Sequence, residues 1–204
     1  MNKKIIILMS ILCSSSVILP MEKCTEISAK LLIPLGSGSQ YIIPSPQRNF
    51  IATASDSNCI NIWDRASLCL LTSLKHSEEI KGLVFSPDEN FTLTYGRGTA
   101  YIWKTKTGTL LYTLSISHSL ALASFSPSSK YVLTLLGGKV YIWDVQTGKQ
   151  IQIIEKQILI HRGSLDGIGD AKFLEDHLVI VISVYGEISI WDINTGTFKT
   201  NKID

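Results

Sequence analysis

The residues with the most chemistry to offer are four histidines: His76, His118, His161 and His177. A zinc site needs three or four ligands converging at spacings such as His-x3-His or Cys-x2-Cys, and neither spacing occurs. His76, His118 and His161 recur at one position of a repeat described below, which assigns them a structural role. Nucleophilic catalysis has no better footing, because no Gly-x-Ser-x-Gly elbow is present. The carboxylate pairs Glu78-Glu79 and Glu175-Asp176 fall in connecting segments and read as solvent-facing charge, whereas glycoside hydrolysis needs two carboxylates across a cleft. The stretch His161-Arg-Gly-Ser-Leu-Asp-Gly-Ile-Gly-Asp170 misses the phosphate-cradle spacing, and Asp166 and Asp170 lack the EF-hand pattern. The expectation is no enzyme, no metal and no cofactor.

The elements that carry these residues begin after an N-terminal segment of a different kind. Lys3 and Lys4 lead into an apolar run from Ile5 to Leu12 and then into Ser14–Ser16. Charged, apolar and small residues in that order are the secretory signal pattern, with cleavage expected between about Ser16 and Pro20. The run is too short to span a bilayer, so no membrane span is expected in the mature chain. Residues 1–20 read as a signal peptide and the protein as secreted or periplasmic. It would be cytoplasmic if that segment is not a signal. The whole chain has 19 basic and 17 acidic side chains, and Lys3 and Lys4 supply the entire excess. A balanced remainder argues against a nucleic-acid partner. Cys24, Cys59 and Cys69 would remain after export. The turn between their strands places Cys69 nearer to Trp63 than to Cys59, which argues against a bridge between those two. Isolated core cysteines are expected.

Self-similarity organises the rest. Ile-Trp occurs four times, ending at Trp63, Trp103, Trp143 and Trp191, at intervals of 40, 40 and 48 residues. Asp follows in three copies and Lys104 in the other. Upstream stand Ser45-Pro46, Phe85-Ser86-Pro87-Asp88, Phe125-Ser126-Pro127 and Phe173-Leu174-Glu175-Asp176, lying 17, 16, 16 and 16 residues before each tryptophan. Apolar residues alternate with more polar ones before each tryptophan, and Thr107-Gly108, Thr147-Gly148 and Thr195-Gly196 follow with a glycine suited to a left-handed turn. Strands are expected at 50–55, 91–95, 131–135 and 179–183, with further ones at 110–114 and 150–154. Period two throughout, at about four strands per forty residues, means all-β.

These units resemble WD40 repeats over about Ile27 to Asp204. The resemblance implies a WD40-like β-propeller or partial propeller, with four blade-like repeats of four antiparallel strands. Lys30–Leu35 would supply an outer strand, and the chain would end in a strand stub beginning at Gly196. It also implies a hydrogen-bonded set of Trp, Ser/Thr, His and turn Asp pinning each blade. The Thr position is filled by Thr53, Thr94 and Thr134 but reads Ile182 in the last unit. The Asp position reads Ser57, Arg97, Gly137 and Tyr185. No unit has the full set, so apolar packing and ladder bonds are expected to dominate. Four units leave three readings of closure: a small closed ring, a half-ring completed by a homodimer, or a truncated relic of a longer array.

On a constant framework, the residues that vary specify the partner. The turns before the Trp strands and the longer fourth connection nominate Asn58, Arg97, Lys139, Arg162, Tyr185 and Glu187 as protein-binding residues. Arg97 and Tyr185 are the expected anchors. The function that follows is a non-enzymatic exported scaffold binding another protein. The alternative is an envelope propeller that binds or turns over a small ligand at a central channel. Asn90-Phe91-Thr92 is a glycosylation sequon expected to be exposed.

Overall fold

The computed structural model describes residues 41–55, 58–119, 122–155 and 167–199. Residues 1–20, the strand expected at Lys30–Leu35, His161, Arg162 and Asp166 lie outside the described residues. Every regular element among the described residues is a strand, and all pairing is antiparallel. The first sheet is β1 (Tyr41–Pro44), β2 (Phe50–Ser55), β3 (Cys59–Asp64) and β4 (Leu70–Lys75), side by side in chain order. The second is β5 (Ile80–Phe85), β6 (Phe91–Lys104) and β7 (Leu110–Ser119). The third is β8 (Leu122–Phe125), β9 (Tyr131–Leu136), β10 (Lys139–Asp144) and β11 (Gln150–Ile154). The fourth is β12 (Ile168–Phe173), β13 (Leu178–Ser183), β14 (Ile188–Asp192) and β15 (Thr197–Lys199).

The second sheet counts three strands, yet β6 serves as two. A straight strand would separate Thr94 from Trp103 by roughly 30 Å, whereas the Trp103 indole N–H donates to Thr94 Oγ1 at 2.8 Å. Thr92 and Thr105 likewise meet hydroxyl to hydroxyl at 2.9 Å. The run therefore folds back on itself near Arg97-Gly98, and all four sheets share one plan.

The chain divides into two compact units, one holding the first sheet and the other the remaining three. Within the second unit the inner strands β5, β8 and β12 lie next to one another. Alternation gives each sheet a trailing and a leading face. The trailing face of the second sheet (Leu93, Ala100, Ile102, Leu114) packs on the leading face of the third (Ala123, Phe125, Val132, Trp143). The third sheet's trailing face (Leu133, Leu135, Val140, Ile142, Ile154) packs on Ala171, Phe173, Val179 and Val181 of the fourth. Each of these fully covered leucines and isoleucines contributes about 1.5–3 kcal/mol. In the first unit, Ala52, Ile60, Ile62 and Leu74 are buried together with Cys59.

Repeated turns close the strands. Arg48, Glu89 and Ser129 each donate their backbone N–H to the carbonyl of Ser45, Ser86 or Ser126, and each lies at positive φ (64°, 60° and 65°). The same three serine hydroxyls accept from the backbone N–H of Phe50, Phe91 and Tyr131. Serine before proline is thus the residue that turns the chain into the next strand. After the tryptophan, Asp64 Oδ1 accepts from the N–H and hydroxyl of Ser67, and Asp144 Oδ1 from those of Thr147. Those hydroxyl bonds hold the Asp64 carboxyl below its usual range. Gly108, Gly148 and Gly196 occupy the left-handed position at φ 64°, 66° and 67°. The first sheet has Leu68 there instead, at φ 57°.

Cys59 opposes Lys75, while the Cys69 carbonyl accepts from Asp64 beyond the Trp63–Leu70 pair. The two cysteines thus sit at opposite ends of the β3–β4 ladder. The isolated-cysteine expectation is nonetheless corrected, because both are disulfide-bonded. Cys13 and Cys24 lie outside the described residues.

Candidate functional site

The framework is built on the tryptophans. Trp63, Trp103 and Trp143 are buried and donate their indole N–H to Thr53, Thr94 and Thr134 at 3.0, 2.8 and 2.9 Å. Trp191 is half-buried, and its sheet has no threonine to receive it. Counting back from the tryptophan points to Ile182, but the register corrects this. Trp143 opposes Val132 and Trp191 opposes Val179, so the equivalent of Thr134 is Val181. The fourth hairpin is one residue longer, which shifts the count. Gln152 on β11 replaces the missing hydroxyl: its Oε1 accepts from Trp191 Nε1 and its Nε2 donates to the Ile193 carbonyl, both at 2.9 Å. Nothing in the Trp spacing points to Gln152. The clue available from sequence is the missing acceptor itself.

The strands alternate direction, so each sheet has two unlike ends. The Ser-Pro and Thr-Gly turns share one end, where the backbone joins them through Thr105 N–Asn90 O, Val145 N–Lys130 O and Ile193 N–His177 O. Side chains tie neighbouring sheets there as well. Ser129 Oγ accepts from Asp88 N, Asp176 Oδ1 accepts from Ser128 N, and the Tyr112 hydroxyl donates to the Gln146 carbonyl. The hairpins between each sheet's two middle strands occupy the other, top end. There, among the described residues, a backbone bond joins the third and fourth sheets. Ile168 N of the fourth sheet donates to Gly138 O of the third at 2.8 Å, while the bond from Val184 N to Gly167 O at 3.0 Å extends the β12–β13 pairing within the fourth. A Cβ on Gly138 or Gly167 would stand about 3 Å from the Cα of the other, so the close approach needs both glycines.

The top end carries the residues nominated from sequence. Tyr185 is 62% exposed, and Glu187 is exposed beside it. The backbone N–H groups of both bond Ser183 Oγ. Lys139 is exposed and pairs with Glu155 at 2.7 Å, a bond that raises its pKa. Asn58 stands half-buried in the first unit at φ 52°, its carbonyl accepting from His76 N. The Arg97 backbone opposes Ser119, with its side chain outside the described atoms, and Arg162 lies outside the described residues. Tyr185, Glu187 and Lys139 thus stand on adjoining hairpins of one unit. The sequence pattern did not nominate Val184 and Ile188, which are 60% and 66% exposed and flank Tyr185.

The other singled-out residues take framework places. His76 is partly buried, and burial drops its pKa to about 4. His118 has its backbone in β7 and its side chain outside the described atoms, and His161 lies outside the described residues. His177 sits 3.6 Å from Glu175 at the turn end. Asn90 is exposed as expected, but its side-chain amide donates to Asp88 at 2.8 Å. Thr92 of the same sequon is fully buried, which corrects the expectation for that residue. Among the described residues, no three His, Cys, Asp or Glu side chains gather as metal ligands.

A family model for WD40, described as "WD domain, G-beta repeat", matches residues 41–64 and 68–104. Residues 41–64 and 68–104 are thus similar to WD40 repeats. The chain is 33% identical over 67 residues to the Nuclear distribution protein nudF of Aspergillus flavus and to that of Aspergillus oryzae. That stretch is 33% of this chain and 15% of each relative, so the match spans a small part of their length. Among solved structures the chain resembles that of U3-55K, with a TM-score of 0.61 at 16% identity, covering 81% of this chain and 53% of that one. At 16% identity that likeness is one of fold, and the four sheets are called blades one to four below in chain order.

Proposed function

We propose that this chain is an exported, non-enzymatic scaffold that binds another protein through the top end of its blades. One observation carries the reading. The turn end repeats the same side-chain bonds from blade to blade, whereas the top end is joined by backbone and leaves Val184, Tyr185 and Ile188 exposed on neighbouring positions. An aromatic ring flanked by aliphatic side chains and edged by Glu187 and Lys139 is the composition of a protein-binding hot spot with a charged rim. Scattered single apolar residues carry no such meaning, but three on one hairpin do. Export rests on the order of Lys3-Lys4, Ile5–Leu12 and Ser14–Ser16.

A photo-crosslinking residue at position 185, with one at exposed Gln146 of the turn end as the control, tests the binding in the producing cell. A discrete adduct from 185 but not from 146, lost in an Arg97→Ala variant carrying the same probe, supports the reading. Identical adducts from both positions refute it. For export, sequencing the N-terminus of the extracellular or envelope-fraction protein is expected to start between residues 17 and 21. An intact Met1 in the cytoplasm refutes that part alone.

A further inference from the structure

The hairpin that carries Tyr185 is held differently from its counterpart in blade three. There Leu136 and Lys139 face each other across Gly137 and Gly138 at φ 56° and 74°, a two-residue turn whose backbone alone matches the twist of the strands. In blade four Val184, Tyr185 and Gly186 separate Ser183 from Glu187, and Gly186 lies at φ 86°. Register puts Ser183 where blade three has Leu136, because Ile182 pairs with Ile188 as Leu135 pairs with Val140. Ser183 is 3% exposed, and each of its polar groups bonds the hairpin. Its N–H donates to the Glu187 carbonyl at 2.8 Å, and its own carbonyl accepts from Gly186 N at 2.9 Å. Its hydroxyl oxygen accepts from Tyr185 N and from Glu187 N, both at 3.2 Å. Val184 N donates to the Gly167 carbonyl, so every backbone N–H from 184 to 187 has an acceptor, and Ser183 supplies all but one of them.

We propose that Ser183 is the positioning residue of this recognition hairpin: its hydroxyl fixes the backbone at Tyr185 and Glu187 and so aims the Tyr185 ring at the partner. The proposal rests on the reading of the top end as the binding surface. Tyr185 is 62% exposed, so the direction of its ring is set by the backbone that carries it rather than by packing. An aromatic side chain has only two torsions of its own, and once its backbone is fixed little freedom remains to be lost on contact. That lowers the ordering cost of association, which a loop with an unfixed backbone would meet in full. An alanine at 183 isolates the hydroxyl from the rest of the residue. It keeps the Ser183 N–H and carbonyl in the ladder and removes only the acceptor that Tyr185 N and Glu187 N share.

Ser183→Ala and Ser183→Thr in the full chain test this with two measurements. The first is amide hydrogen exchange by NMR on the isolated protein, where the wild type is expected to protect all four amides from 184 to 187. Ser183→Ala should speed exchange roughly 10-fold at Tyr185 and Glu187, and leave Val184 and Gly186, whose acceptors are backbone carbonyls, as in wild type. Ser183→Thr, which restores a hydroxyl, should return both amides to wild-type rates. The second measurement is the adduct formed in the producing cell by a photo-crosslinking residue at position 185. Its yield is expected to fall at least ~5-fold with Ser183→Ala and to recover with Ser183→Thr. Unprotected Tyr185 and Glu187 amides in the wild type overturn the proposal, as does equal acceleration at all four amides, which would mean a merely structural serine. An adduct indifferent to Ser183→Ala, or one lost equally with Ser183→Thr, overturns it too. No adduct at 185 in the parent chain refutes the binding surface itself and the proposal with it, whereas the exchange pattern, read without a partner, shows when Ser183 alone has failed.

Discussion

Gln152 joins blade three to the tryptophan of blade four, and its removal can be worked through quantitatively. The Gln152→Ala variant deletes the acceptor for Trp191 Nε1 and the donor to the Ile193 carbonyl. Each neutral bond is worth about 1 kcal/mol net, so the loss comes to about 2 kcal/mol. For a domain of this size that lowers the melting temperature by roughly 4–8 °C. Val181→Thr supplies, in the second variant, the hydroxyl that the other three blades use. In the wild-type background it buries a hydroxyl competing for a donor already taken, at a cost of about 1 kcal/mol. In the Gln152→Ala background the same hydroxyl receives the orphaned indole N–H and recovers about 1 kcal/mol. The two changes therefore couple by about 2 kcal/mol, read from a double-mutant cycle of thermal or denaturant melts. Strict additivity within about 0.5 kcal/mol would refute the claim that Gln152 stands in for a threonine.

Three further outcomes follow from the turns and from His76. Gly148→Ala, at φ 66° and with Tyr112 filling the space its Cβ would need, should cost at least ~2 kcal/mol; Gly137→Ala, at φ 56° with open space, should cost only the ~1 kcal/mol of backbone strain. Equal melting temperatures for the two variants would contradict this. Leu68→Gly removes the corresponding strain in blade one, at φ 57°. It should leave stability within about 1 kcal/mol of wild type, while Leu68→Val, branched at the same position, lowers it by more. His76 has a folded pKa near 4 against 6.5 when unfolded. The unfolded chain therefore binds the proton first, and stability falls as pH drops from about 6.5 towards 4. The whole shift would be worth about 3 kcal/mol, and since His76 is only partly buried about half of that is expected. Denaturant melts at pH 7 and 4.5 should show the loss in wild type and not in His76→Asn; equal slopes would remove His76 as the cause.

The fold was legible because the sequence writes the same local chemistry several times. Ser-Pro turns, Trp-Asp ends and Thr-Gly hairpins each act within a few residues, so their spacing predicted β2, β9, β11 and β13 to within a residue or so. What escaped was contact between repeats. The acceptor for Trp191 comes from 39 residues away, and no local pattern announces it. The one-residue lengthening of the fourth hairpin moved the threonine position from Ile182 to Val181, because a count along the chain ignores register. Val184 and Ile188 were passed over for a related reason. Apolar residues at strand ends read as core in a sequence, and only their exposure in the fold distinguishes them. The sequon was misjudged at Thr92 because the hydroxyl that completes the motif is also half of the buried Thr92–Thr105 pair.

The unlike ends of the blades explain how such a fold can change partners without losing its structure. Asp144 holds the Thr147 turn, Ser126 holds Tyr131, and Asp176 reaches the neighbouring blade at Ser128, all at the turn end. Removing one of these side chains strips a backbone N–H of its acceptor, so Asp144→Ala should cost about 1–2 kcal/mol, as loss of a helix cap does. At the top end the fourth blade is joined to the third by the bond from Ile168 N to Gly138 O and its own hairpin is closed by that from Val184 N to Gly167 O, and no side-chain substitution at 184, 185 or 187 removes either. Tyr185→Ala and Val184→Ser should therefore stay within about 0.5 kcal/mol of wild type. A substitution neutral for folding is free to be selected for binding alone, which is the condition a variable recognition surface requires. If Tyr185→Ala destabilised the chain as much as Asp144→Ala, the top end would be framework too, and the case for it as the binding surface would fail.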